Sequence, residues 1–200
     1  RGTYMIMEDS EQPMVMSLPM MDGQIRTRYD HPVDRWRDRT VFSYRLEDIE
    51  AVSIEYPLQR NKSFKLERAG KAFKVTPFYD NTPVIEKPVD KASVEAFLTG
   101  FKSLVAENYV NDTPGRDSLS RQIPFSVISV TDTKGEQRIA SLAPMYRINA
   151  ATGDRKTDIV ERYYAFLNSG DLMLVQQRVF QKIFWAYDSF FQKEPEKVKG

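Results

Sequence analysis

The stretch Tyr163-Tyr164-Ala165-Phe166-Leu167-Asn168-Ser169-Gly170-Asp171-Leu172-Met173-Leu174-Val175 decides how the chain is to be read. Two apolar runs flank a short polar turn, and Gly170 offers the positive φ that a tight turn needs, so the stretch predicts a β-hairpin. A helix-like segment follows, carrying Phe180, Phe184, Trp185, Tyr187, Phe190 and Phe191. Such stripes are more often core than cofactor box. This one covers too much of its segment for a single buried face, which makes Phe184, Trp185, Phe190 and Phe191 a possible interaction surface.

Working back along the chain, Phe125 to Thr131 against Gln137 to Leu142, turning at Thr133-Lys134-Gly135, predicts a second hairpin. The polar stretch Asn149 to Thr157 between the two hairpins is expected to be a mobile loop. Upstream, Thr113 is the expected N-cap of a short helix from Gly115 to Arg121, with Pro114 at its first position. Asp90 is a good N-cap for a longer helix, in which Val94, Phe97, Leu98, Phe101, Leu104 and Val105 fall on one stripe that should lie across a sheet. Gly100 within it marks close packing. Before that helix, Leu46 to Ile49 reads as a helical turn with Glu47, Asp48 and Glu50 exposed. Val52, Ile54 and Tyr56, then Phe64 and Leu66, then Phe73 and Val75 give three alternating strands, the last two joined at Arg68-Ala69-Gly70-Lys71. The fold class is therefore α+β: antiparallel sheets built from hairpins and meanders, with helices packed on one face.

The opening residues repeat the shape of the closing ones. Tyr4-Met5-Ile6-Met7, a polar turn through Glu8 to Gln12, and Met14-Val15-Met16 predict another hairpin. A helix-like stretch follows and ends Ile25-x-x-x-Tyr29-Asp30, against Ile183-x-x-x-Tyr187-Asp188 in the later copy, the first turn being two residues longer. One parse takes this as an internal repeat: residues 1–35 close a preceding unit, 36–192 form a complete α+β unit and 193–200 are a frayed tail. The other takes the two hairpins as a coincidence of Tyr- and Met-bearing strands, with the methionines as core. The start at Arg1, without Met, reads as a cut from a longer chain, and a targeting segment, if one existed, is expected upstream of it.

Composition bounds function. The 200 residues are 41% hydrophobic and 28% charged, with 29 Lys and Arg against 28 Asp and Glu and no cysteine. Near-balanced charge removes the simplest argument for nucleic acid as partner, and the missing cysteines exclude disulfides, thiolate metal sites and cysteine nucleophiles. No apolar run is long enough to span a bilayer. His31, the single histidine, sits in Asp30-His31-Pro32-Val33-Asp34; one reading is a metal site with Asp30, Asp34 and Asp38, the other a surface turn histidine, which is favoured because one imidazole lacks the spacing of a zinc motif. Arg26, Arg28, Arg35, Arg37 and Arg39 surround Trp36, yet three aspartates are interleaved, and the expected role is a Trp anchored in the core with flanking ion pairs. No Gly-rich phosphate loop, Gly-x-Ser-x-Gly elbow or His-Glu-x-x-His is present. No catalytic, cofactor or metal residue is therefore expected.

Gly2 to Met7, Thr27-Arg28-Tyr29, Trp36-Arg37-Asp38-Arg39-Thr40-Val41-Phe42 and Asp48-Ile49-x-x-Val52-x-Ile54 resemble an uncharacterised domain family of Bacteroidetes-type envelope proteins, most strongly from Tyr4 to Leu66. In that family a Trp-Arg-Asp segment leads into an Ile-x-x-Ile strand, a hairpin and a helix; Val52 replaces the second Ile here. The resemblance implies a periplasmic module with repeated α+β units, held at the inner membrane only through an amino-terminal anchor absent from this chain. It implies no catalytic residues. The function expected is non-enzymatic binding or scaffolding through envelope proteins or neighbouring repeat units. An accessory subunit of an ABC-type transport or gliding complex, and a metal-dependent hydrolase centred on His31, are the alternatives.

Overall fold

The computed structural model describes residues 3–20, 25–148, 155–156 and 160–192. The loop expected from Asn149 to Thr157 lies outside the described residues except at 155 and 156, and the expected tail 193–200 lies wholly outside them. The chain divides into two compact units, 1–38 and 39–200, a boundary three residues beyond the one expected from sequence.

The first unit holds β1 (Thr3–Met5), β2 (Met14–Met16) and α1 (Arg26–Tyr29). β1 and β2 pair antiparallel with Tyr4 opposite Val15, as the alternation around the Glu8 to Gln12 turn predicts. Their side chains are not core: Met5, Met7, Met14 and Met16 are all exposed. Two three-residue strands cannot bury both of their own faces.

The second unit contains β3 (Thr40–Phe42), β4 (Ile49–Glu55), β5 (Phe64–Ala69), β6 (Ala72–Pro77), α2 (Lys91–Thr99), β7 (Leu104–Val105), β8 (Asn108–Tyr109), α3 (Arg116–Ser120), β9 (Ser126–Asp132), β10 (Gln137–Met145), β11 (Arg147–Ile148), β12 (Arg155–Lys156), β13 (Arg162–Leu167), β14 (Leu172–Gln176) and α4 (Gln177–Phe180). Eight strands make one antiparallel sheet in the order β6-β5-β4-β9-β10-β13-β14-β8, while β3 pairs with β7 and β11 with β12. The chain is thus α+β with antiparallel sheets, as expected.

Period-two alternation places the core. Val75, Leu66, Val52 and Val130 stand opposite one another across four strands, and Phe64, Ile54, Ile128, Ala140 and Leu167 across five. All are buried, because directly opposed residues share a face. Ser53, Ser129, Thr131 and Ile139, on the other face, are half-exposed.

Asp90 caps α2 by accepting from the backbone N–H of Ala92 (3.3 Å) and Ser93 (3.1 Å) and from the Ser93 hydroxyl (2.6 Å). Those bonds, the Ser93 hydroxyl first, hold its carboxyl below the usual range. Val94, Phe97 and Leu98 point inward, and Phe97 meets Phe64 edge to face at 5.4 Å between centroids. The helix is shorter than its stripe. It ends at Thr99, runs through a 3-10 turn at Gly100–Lys102, and Leu104-Val105 become β7 opposite Phe42 and Thr40. Leu104 remains buried and Val105 turns outward, the two-residue alternation of a strand.

Thr113 is not a cap. The Arg116 N–H donates to the Thr113 carbonyl at 3.2 Å, and Gly115, at φ 76°, precedes the helix without a side-chain cap. Pro114-Gly115 form the centre of a turn that needs positive φ at its second central position, which displaces the expected Thr113 capping. The aromatic segment after β14 is likewise not one helix: α4 passes into 3-10 turns at Gln181–Ile183 and Tyr187–Phe190.

Candidate functional site

The four residues of the expected interaction surface lie in or against the core of the second unit, which corrects that expectation. Phe190 is buried between Phe64 (4.8 Å) and Phe97 (5.2 Å), and Phe191 packs on Tyr187 at 5.2 Å. Phe184 and Trp185 are half-buried, Phe184 against Phe125 (5.1 Å) and Tyr163 (5.6 Å) and Trp185 against Phe97 (5.7 Å). The sheet has more apolar face than α2 alone can cover. Broken into short turns, the segment directs aromatics around several azimuths and all find partners. Burial pushes the Tyr163 hydroxyl up to about 12, and raises Tyr56, which donates to the Trp185 carbonyl at 2.9 Å. Such phenols are neutral packing groups rather than proton donors poised for chemistry.

His31 is exposed on the first unit and leans on Trp36 at 6.4 Å. Asp30 pairs with Arg26 (3.6 Å) and Asp34 with Arg37 (3.5 Å). Among the described residues no group of three or more His, Asp or Glu side chains is placed to hold a metal ion. Trp36 is not the core anchor expected of it: 59% of it is exposed, and it stacks on Tyr29 at 6.2 Å.

The second unit has an open groove of about 520 Å³ lined by Val160, Arg162, Gln176 and Arg178 among others. Its two arginines are hydrogen-bonded within the fold. Arg162 donates twice to Glu107 (2.8 and 3.2 Å), and Arg178 donates to the Gln176 side chain at 2.6 Å. The Arg162 bond, ahead of one from Gln176, holds the Glu107 carboxyl below its usual range. A carboxylate so held is a poor general base.

Exposed apolar side chains on the first unit are the feature that sequence reasoning missed. Tyr4 is 72% exposed and Val15 57%, with Ile6, Met7, Val33 and Trp36 also outward. Among the described residues of that unit only Ile25 is a buried apolar side chain. The matching positions of the later hairpin behave oppositely: Met5 and Val15 are exposed where Ala165 and Met173 are buried, and Tyr29 is exposed where Tyr187 is buried. Ile25 and Ile183 are buried in both. The register differs too, since Tyr4 faces Val15 whereas Tyr164 faces Leu174, whose counterpart is Met16. No protein-family model matches the sequence, and no curated protein or solved structure matches it either.

Proposed function

We propose that this chain is a non-enzymatic binding or scaffold module of the cell envelope, acting through protein contacts outside the cytoplasm. The observation that carries this is the run of exposed apolar side chains on the first unit, Tyr4, Ile6, Met7 and Val15 foremost. Exposed apolar surface of that density marks a contact site. In this proposal the helices of the second unit gather on the buried face of its sheet, as the Phe97–Phe64 contact favours, and leave the first unit to make the contacts. The periplasmic setting and the inner-membrane anchor rest on the resemblance to envelope domains carried by Trp36-Arg37-Asp38 and Ile49-x-x-Val52.

The test is capture from a bacterial envelope extract, with the parent chain and a Met7→Asp/Val15→Asp variant as parallel baits. A protein retained by the parent and lost with the variant is the expected result. Recovery of nothing, or of the same proteins by both baits, overturns the proposal.

A further inference from the structure

We infer that the hairpin of the first unit is the closing hairpin of another unit built like residues 39–192, and that the partner of its exposed face is that unit's sheet. The inference rests on the protein-contact proposal and names its partner. In the second unit β13 and β14 fill the space between β10 and β8, where Ala165, Leu167, Met173 and Val175 become core. Met5, Met7, Val15 and Ser17 occupy the matching places in the first copy and are exposed. The same strand positions, and the Tyr of the same Ile-x-x-x-Tyr-Asp ending, are buried in the second unit and exposed in the first, while the Ile of that ending is buried in both.

Charge points the same way. The turn of the later hairpin is gripped by Arg116, which donates to the Gly170 carbonyl, and by Asn111, which bonds Asp171 (3.2 Å) and the Leu172 N–H (2.7 Å). The first turn carries Glu8, Asp9 and Glu11, so an equivalent cation would find carboxylates there, which make the stronger bond. The register completes the picture. With Tyr4 opposite Val15, Met5 shares a face with Met14 and Met16. Entry into a sheet in the manner of β13 and β14 requires β2 to slip by one residue, so that Met5 stands opposite Val15 and both enter the core, since a one-residue slip exchanges the faces of a strand.

The inference is tested by grafting within the full chain: Tyr4 to Asp30 replaces Tyr164 to Asp188, the original first unit being retained. A single cooperative thermal transition within about 10 °C of the parent is expected, with cross-strand NMR contacts between the grafted Met5 and Val15. Val15→Asp in the grafted copy should abolish that transition, while Val15→Asp in the original copy leaves it unchanged. A shorter graft, Tyr4 to Met16 in place of Tyr164 to Leu174, keeps the native aromatic segment and guards against a failure that arises there. Loss of cooperative unfolding in both grafts, or a harmless Val15→Asp in the grafted copy, overturns the inference. If both grafts fail while envelope capture still depends on Met7 and Val15, the hairpin binds some other protein and the scaffold proposal stands.

Discussion

Gly100 and Ser126 show how narrowly single residues are fitted in this core. A Cβ built on Gly100 would lie 2.8 Å from Cγ2 of Ile183, so Gly100→Ala sets a gain of about 0.4–1 kcal/mol, from the smaller backbone entropy of the unfolded chain, against overpacking of about 1–3 kcal/mol. Ile183 is buried and branched at Cβ, and the clash should win. Chemical denaturation is expected to report a net loss in Gly100→Ala, partly recovered in Gly100→Ala/Ile183→Leu, which removes the offending methyl. Ser126 presents the opposite case, a buried hydroxyl with no hydrogen-bond partner among the described residues. Removing an unsatisfied hydroxyl relieves a desolvation cost of about 1–3 kcal/mol. Ser126→Ala should therefore leave the urea midpoint unchanged or raise it; a clear drop would show that a partner exists. Close packing at Gly100 was legible from the sequence, because a glycine inside an apolar stripe has few other uses. Ser126 was not, since the burial of a serine depends on register with Leu142 across β9 and β10.

Elements were legible wherever one periodicity ruled. The meander β4-β5-β6 and the hairpins β9-β10 and β13-β14 alternate cleanly, and their turns carry Gly70, Gly135 and Gly170 at positive φ. The end of α2 was hidden because Leu104 points inward on either a helical or an extended path; only pairing with β3 decides between them. Trp36 and the four hairpin methionines were misplaced for a different reason. Apolar residue types record that a surface is meant to be covered, and not whether the covering lies within the same unit. The aromatic segment closing the second unit is read correctly as core and wrongly as a surface, and Phe190 measures the difference. Phe190→Ala should cost about 3–5 kcal/mol in equilibrium unfolding, an amount far larger than an interaction surface residue would give.

At the scale of the whole molecule, stability of the second unit should be tied to its phenols. Tyr163 has a pKa raised from 10.0 to about 12 and Tyr56 is raised as well, both chiefly by burial. A raised folded-state value means a contribution fully present below pH 10 and lost as pH climbs from there toward the folded value. Alkaline unfolding is therefore expected to begin near pH 10, with tyrosinate absorbance rising together with loss of circular dichroism; ionisation of every tyrosine before any unfolding would contradict this. The order of the eight strands has one more consequence, for colloidal behaviour. A sheet ends somewhere, and each end is a template on which another chain can grow. At one end β8 is only two residues long; at the other β6 carries exposed Lys74 and finishes at Pro77, which has no N–H to donate. Lys74→Val would remove the charge from that outer strand, and light scattering during slow heating should then rise earlier than in the parent. Both margins of the sheet are thus blunted against chain growth, one by the brevity of β8 and the other by the charge and the proline of β6.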